Sequence, residues 1–424
     1  MNDRVCSRRG FLRAGSAAAA AGWVERIPLV HGGAQDHPTL RVGLVGCGGR
    51  GRGAIENVLE AAPNVQVIAL ADMFPDRIQA ARRLAAEREL AGFKVQDDHC
   101  FTGFDAYRRL LDTSVDYVML CEPPGFRPLH FAAAVEAGKH VFMEKPVAVD
   151  PVGVRKVIEY GEKARQKKLG VVPGTQNRHS RRIRETVRRI HEGQIGDVVA
   201  GYIFFNTGYL WSYERRPGWS DMEWQVRNWY YFDWLSGDHI VEQHIHQIDL
   251  TDWVFRAHPV RAMAVGGRQA RVEELYGNIY DHFGVDFEYP NGVHVLSMCR
   301  QWPRVPGFVA AWYVGTKGTA YLHHPQKSGV IEGENPWRFE GAEVPAQVQE
   351  HRDLIESIRA GNPLNEARRI AETTLTSILG REAAYTGKAL TWEEVFASDL
   401  DLSPPKYEFG PNPVRPVRIP GRKG

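Results

Sequence analysis

A chain of 424 residues with 43% hydrophobic content carries enough apolar material for two packed domains and a leader. Lys and Arg number 53 against 51 Asp and Glu, a net charge of +2 with the two signs interspersed, which excludes the basic stripe of a nucleic-acid-binding surface. The five cysteines, Cys6, Cys47, Cys100, Cys121 and Cys299, stand too far apart and too irregularly for a zinc motif or a dense disulfide framework, so no metal is assigned from them.

The first residues read as a leader. Ser7-Arg8-Arg9-Gly10-Phe11-Leu12-Arg13 runs into an alanine-rich stretch over 14–21, a twin-arginine pattern followed by an apolar segment too short to span a bilayer. Small residues at Gly32 and Ala34 predict cleavage after Ala34. Residues 1–34 are therefore expected to address the protein to the twin-arginine export machinery, giving a periplasmic or extracellular protein with no stable membrane anchor.

From 38 to 173 short apolar runs alternate with amphipathic stretches, the pattern of βα units and a doubly wound parallel sheet. Strands are predicted at 40–45, 67–71, 115–121, 140–143 and 170–173. Helices are predicted at 54–61, 76–90, 104–111, 128–137 and 151–167, with Gly92 and Gly138 closing two of them. Beyond 173 the runs turn β-branched and aromatic, at 198–206, 260–266, 283–289, 293–298 and 310–314. Tyr289-Pro290-Asn291-Gly292-Val293 is a hairpin signal, since Asn-Gly supplies the positive φ such turns need. The expectation for 174–400 is an α+β domain with an open, mainly antiparallel sheet and closing helices at 347–360 and 368–385. A Pro-rich tail over 401–424 follows it along the surface.

Gly46-Cys47-Gly48-Gly49-Arg50-Gly51 fits G-x-G-x-x-G directly after a predicted strand and before a helix. Such glycines let the backbone approach a pyrophosphate, whose charge is met by amides at the helix N-terminus. Asp72, at the end of the second strand, is placed to accept from a ribose 2′-hydroxyl and to repel a 2′-phosphate. NAD is thus favoured over NADP, with Arg77 nearby as the opposing signal.

Val115-Asp116-Tyr117-Val118, Pro123-Pro124, His130 and the run from Ala137 through Glu144-Lys145-Pro146 resemble the first-domain signature of the Gfo/Idh/MocA oxidoreductases. The resemblance implies a Rossmann domain, a substrate-binding α+β domain and a sugar or polyol substrate. It places Lys145 near the nicotinamide and the substrate hydroxyl, and Glu144, Glu122, Pro123, Pro124 and His130 along the cofactor. An ammonium beside a positively charged ring has reason to lose its proton and act as a base.

The stretch from Ser236 to Asp249 resembles the family segment in which an acidic residue precedes a histidine by four positions, here Glu242 and His246. On one helix the two share a face, with Asp249 three residues on. His246 is then expected to pass a proton from a sugar hydroxyl, with Glu242 or Lys145 completing the relay, and His239 and Asp249 to line the substrate pocket. Asp238, His239 and His244 depart from the family pattern, and His239, Glu242, His244 and His246 together leave a divalent metal as an alternative. Aromatics crowd 202–234, among them Trp229 and Tyr230, and flat rings of this kind stack on sugars when they are not core. Arg178 and His179 match a stretch near the family substrate site.

These features imply an exported enzyme that oxidises a CH-OH group with tightly bound NAD, regenerated by a second carbonyl substrate. One alternative is an NAD-dependent glycosidase working by transient oxidation and elimination. A second is a non-catalytic sugar-binding protein, although a binder has no use for a Lys145, Glu242 and His246 relay. The resemblance also implies a homo-oligomer, a dimer or tetramer.

Overall fold

The computed structural model describes residues 37–422, so the leader lies outside the described residues. Six strands come first: β1 (Leu40–Val45), β2 (Val65–Asp72), β3 (Cys100–Thr102), β4 (Tyr117–Leu120), β5 (His140–Met143) and β6 (Val171–Pro173). All four residues of β4 are buried, as an uninterrupted apolar run must be in a sheet covered on both faces. The strands pair in the order β3-β2-β1-β4-β5-β6, every pair parallel. From β1 the chain moves outward to β3 and returns on the other side at β4, which makes the crevice at the carboxyl ends of β1 and β4 the switch point where such sheets bind ligands.

Two elements depart from the sequence reading. β3 escapes it because three residues cannot establish a period. The first helix begins at Gly49 rather than at 54, although its glycines depress helix propensity; of these, Gly51 is required by its close approach to the Gly46 carbonyl.

The second sheet comprises β7 (Val198–Thr207), β8 (Arg261–Gly267), β9 (His282–Glu288), β10 (His294–Gln301), β11 (Phe308–Gly315), β12 (Gly318–His323), β13 (Val330–Gly333), β14 (Trp337–Arg338) and β15 (Leu390–Thr391). Its order is β14-β13-β12-β11-β7-β10-β9-β8-β15. The expected antiparallel pairing holds except between β7 and β10, which run parallel from Gly201 opposite Val295 to Thr207 opposite Gln301. The exception is a topological necessity. β10 and β11 follow one another and run in opposite directions, so a strand inserted between them must be parallel to one.

β10 alternates exposed and buried residues over most of its length, the mark of a sheet with one covered face. Helices Ile245–Phe255 and Ala367–Thr386 cover that face. Met263, Val265, Leu296 and Met298 lie exposed on the strands β8 and β10. Arg381, wholly buried in Ala367–Thr386, donates to the carbonyls of Val149 (2.7 Å) and Gly237 (3.1 Å), tying the helix to segments beside each sheet. No described helix is long and apolar enough to cross a membrane.

The loop after β4 touches the second half of the chain at Gly125, whose N–H donates to the Leu235 carbonyl at 3.0 Å. A Cβ on Gly125 would stand 2.1 Å from the Trp234 carbonyl oxygen. Gly125→Ala is therefore expected to lower stability by about 1–3 kcal/mol, the range for overpacking, read as a lower midpoint in denaturant. An unchanged midpoint contradicts this seam.

Candidate active site

β1 delivers the glycine turn to the switch point. Gly46 has φ +91°, and a Cβ there would lie 2.4 Å from the Glu122 nitrogen, while one on Gly51 would lie 1.9 Å from the Gly46 carbonyl oxygen. Only glycine fits either position. Beside Gly48 and Gly49, by contrast, a Cβ would meet nothing within 4 Å, and no side chain caps the helix that starts there. This cradle leaves backbone amides free for an anion. Cys47 contributes through its backbone, donating to Asp72 Oδ2 at 2.7 Å, with its own side chain buried.

Asp72 also accepts from the Phe74 N–H at 2.9 Å. Burial pushes its carboxyl up to about 6, against the pull of those two N–H donors. A cavity of about 580 Å³ runs from Asp72 past the turn to Pro123 and His130. The free amides at one point and a carboxylate at the ribose position fit a dinucleotide with an unphosphorylated 2′-hydroxyl.

A second cavity, of about 330 Å³, opens off the first. Arg50, Cys121, Glu122 and Trp229 line both. Into the second project Glu144 and Lys145 from the end of β5, and Glu242 and His246 from the other half of the chain. Lys145 Nζ donates to Glu242 Oε1 at 2.8 Å and to the Glu242 backbone carbonyl. Gln243 Nε2 holds the other oxygen of Glu242 at 2.6 Å. Burial first, and then the charge of Lys145, press the His246 imidazole well below its ordinary value, so the ring is neutral at neutral pH. Its Nδ1 has no hydrogen-bond partner.

Arg50 turns from the glycine loop into this second cavity. Its Nε donates to Glu144, its Nη2 to Glu350 Oε1 at 3.1 Å, and its Nη1 to Asn57 at 3.0 Å. Burial alone would depress the guanidinium, yet Glu144 and Glu350 hold it above its ordinary value. Glu350 itself is raised well above the carboxylate range by burial and by the nearby charge of Glu144.

Glu122 is buried at the junction of the two cavities with neither carboxylate oxygen hydrogen-bonded. His130 Nδ1 lies 3.3 Å from one of them, its ring stacked on Tyr107 at 4.0 Å. A carboxylate desolvated to this degree needs donors from whatever fills the junction.

Several expected residues stand elsewhere. Glu242 and His246 do not share one helix: His239–Glu242 and Ile245–Phe255 are separate, broken at Gln243 and His244, and the break is what turns both side chains into the cavity. Asp249 and Arg178 pair with each other at 2.8 Å, and Arg369, itself paired with Glu366, adds a second cation to Asp249 at 2.7 Å, so buried Asp249 anchors a structural ion-pair network. His179 is held by Asp353 at 2.6 Å. Tyr230 is core, its hydroxyl accepting from Gln301 at 2.8 Å. His239 packs on Phe283, and His244 bonds Ser297 at 2.7 Å, so these two point away from Glu242 and His246. Among the described residues no group of three His, Cys, Asp or Glu side chains is arranged to hold a metal ion.

The second cavity uses Gln176 where the sequence pointed to its neighbours Arg178 and His179, and adds Gln243, Arg127 and Gln347. Nothing in the sequence marks Gln347. Of the aromatics, Trp229 alone lines both cavities, while Trp211 and Tyr213 line the first.

Two family models match the chain. Residues 40–172 match an oxidoreductase family with an NAD-binding Rossmann fold, and residues 183–321 match a GFO/IDH/MocA C-terminal domain, together more than half of the sequence. An inositol 2-dehydrogenase of Pseudomonas fluorescens is 30% identical over 341 residues, covering 76% of this chain and 87% of that one. A glycosyl hydrolase family 109 protein of Saccharopolyspora erythraea is 26% identical over 214 residues, but those span only 46% of this chain and 44% of that one. The crystal structure of scyllo-inositol dehydrogenase from Lactobacillus casei, with bound NAD(H) and scyllo-inositol, superposes with a TM-score of 0.63 at 18% identity, covering 84% of this chain and 99% of that one.

Asp249→Ala leaves two arginines without their shared anion and is expected to lower unfolding free energy by about 3–5 kcal/mol in denaturant titration. A folded, stable Asp249→Ala protein contradicts the structural role. Because Asp72 ionises near 6, it loses its charge as pH falls through that value and becomes a poorer acceptor for ribose hydroxyls. Dinucleotide affinity measured by calorimetry is expected to weaken below pH about 6 in wild type and to show no such step in Asp72→Asn.

Proposed function

The chain belongs to the GFO/IDH/MocA oxidoreductase family, and from that premise we propose that it oxidises a secondary hydroxyl of a sugar, polyol or glycoside with NAD. The observation that carries this reading is the buried Lys145–Glu242 pair, set in a cavity that shares four wall residues with the dinucleotide groove. NAD, held by the glycine turn and Asp72, would supply the hydride acceptor there.

As hydride leaves carbon, the hydroxyl oxygen must shed its proton. Lys145 Nζ, fixed 2.8 Å from Glu242 Oε1, can take that proton while passing one of its own to Glu242. His246, kept neutral first by burial and then by the charge of Lys145, orients the hydroxyl by a hydrogen bond and does not store the charge. Arg50, Arg127 and Lys145 balance Glu122, Glu144 and Glu242 in formal charge around the cavity, and three glutamine amides offer both donors and acceptors. Such a lining suits a neutral, polyhydroxylated molecule.

A second reading, favoured by the glycosyl hydrolase relative, is redox-neutral cleavage. Oxidising a hydroxyl to a ketone acidifies the adjacent C–H, the glycosidic bond is eliminated, and the ketone is then reduced. The twin-arginine leader supports export of the folded protein with its cofactor tightly held, since no nicotinamide pool is expected outside the cytoplasm. The exposed apolar residues of β8 and β10 support self-association into a homo-oligomer.

Lys145→Ala is expected to lower turnover on the active polyol by about 10²–10⁴-fold, the range for loss of a general acid-base group, with dinucleotide binding retained. Unchanged turnover removes Lys145 from the chemistry. Release of a free sugar or aglycone without net NADH selects the second reading over the first.

A further inference from the structure

The wall of the dinucleotide groove opposite the first sheet's loops comes from an unexpected part of the chain. Tyr407, in the C-terminal tail and far beyond the last residue matched by either family model, lines the same cavity as Asp72 and the glycine turn. Its ring stands 5.7 Å from that of Phe126. Two residues on, Phe409 meets Phe104 at 5.1 Å and Phe74 at 6.0 Å. Phe74, Phe104 and Phe126 all lie on loops at the carboxyl ends of the strands and line the groove, Phe74 beside Asp72 and Phe126 stacked on His130.

From the other side Arg227 lays its guanidinium 3.7 Å over the Phe74 ring, pinned by Glu223 at 2.9 Å and Asp76 at 3.2 Å. Arg77 lies 5.5 Å over Tyr213. The Asp72 end of the groove is thus roofed by flat rings and guanidinium planes from two segments distant in sequence.

The tail is not merely resting there. Before Tyr407 it is fixed by the Leu402 N–H on Asp150 at 2.9 Å. After Phe409 it is fixed by the Asn412 N–H on Asp221 at 3.1 Å, by Arg415 on the Leu402 carbonyl at 3.0 Å, and by the Tyr280 hydroxyl on the Arg418 carbonyl at 2.8 Å. Tyr407 and Phe409 hang between these fixed points like the middle of a strap.

We propose that residues 402–412, with Arg227 and Tyr213, form an aromatic strap over the adenosine half of the dinucleotide site and retain the cofactor through successive turnovers. The inference rests on the reading of this groove as an NAD site. A purine ring is a flat heteroaromatic that stacks on such surfaces, and Asp72 fixes which end of the dinucleotide lies beneath the strap. Release then requires the ring contacts of Tyr407 and Phe409 to open first. A sugar in the second cavity is under no such constraint, because neither residue lines that cavity.

The test is a pulse-chase on the full mature protein: isotopically labelled NAD is bound, and its loss into excess unlabelled NAD is followed. The paired variant Tyr407→Ala with Phe409→Ala is expected to lose label at least about tenfold faster than wild type, as removal of a base-stacking ring predicts. Arg422→Ala, a change in the same tail at an exposed side chain beyond the strap, is expected to match wild type. Tyr407→Leu keeps apolar volume without a flat ring, so it keeps the test open should the paired variant fail to fold, and it too is expected to release faster. Equal release from wild type and Tyr407→Leu overturns the strap. Failure of wild type to take up any label overturns instead the NAD reading on which the strap depends.

Discussion

Lys145 and Glu242 come from opposite halves of the molecule and meet 2.8 Å apart with their side chains 9% exposed. A buried ammonium and a buried carboxylate each carry a desolvation penalty that only a well-placed partner offsets. The pair therefore constrains both sheets: the end of β5 must face the break between helices His239–Glu242 and Ile245–Phe255. Once that is satisfied, the groove at the switch point and the cavity beside it are joined, with Arg50 and Glu122 at the seam. Arg50 extends the same logic, because a residue of the glycine turn reaches Glu144 beside Lys145 and Glu350 on the helix Ala346–Arg359. Turn, strand end and C-terminal helix are held in register by charge.

What could be read from the sequence is what backbone geometry dictates. The glycine turn, Asp72 and the strand-ending Glu144-Lys145 depend on local spacing, and the first sheet forms nearly as the apolar runs indicate. Glu242 and His246 were legible through a family resemblance, although the helix assumed to carry them is interrupted. Arg178, His179 and Asp249, expected around the substrate, sit in ion pairs, and His239 packs on Phe283. A polar residue lining a cavity and a polar residue buried in an ion-pair network are the same letters, and the difference lies in partners such as Arg369 and Asp353 that are far away in the chain. Tyr407 and Phe409 sit in a Pro-rich tail without periodicity, where no local signal points to a groove.

The chain thus combines two kinds of element. The paired sheets, the glycine turn and the buried Lys145–Glu242 pair support the proposed hydride-transfer centre for a hydroxylated substrate. The aromatic segment before Trp234, the tail strap and the buried Glu122 carboxylate act on how the cofactor is enclosed and on what meets it at the junction. Fold alone does not select the sugar, since the frame hosts many substrates. The balanced charges and amides of the second cavity suit the neutral, polyhydroxylated substrate proposed.

The central claim is that a dinucleotide and a polyol meet over Lys145. The most direct measurement is to denature the purified protein and identify the released nucleotide by mass and absorbance, before and after incubation with a panel of polyols, sugars and glycosides. The account predicts NAD from the resting protein and NADH after exposure to the oxidisable substrate. A protein that yields no nucleotide, and takes up none when it is supplied, would contradict it.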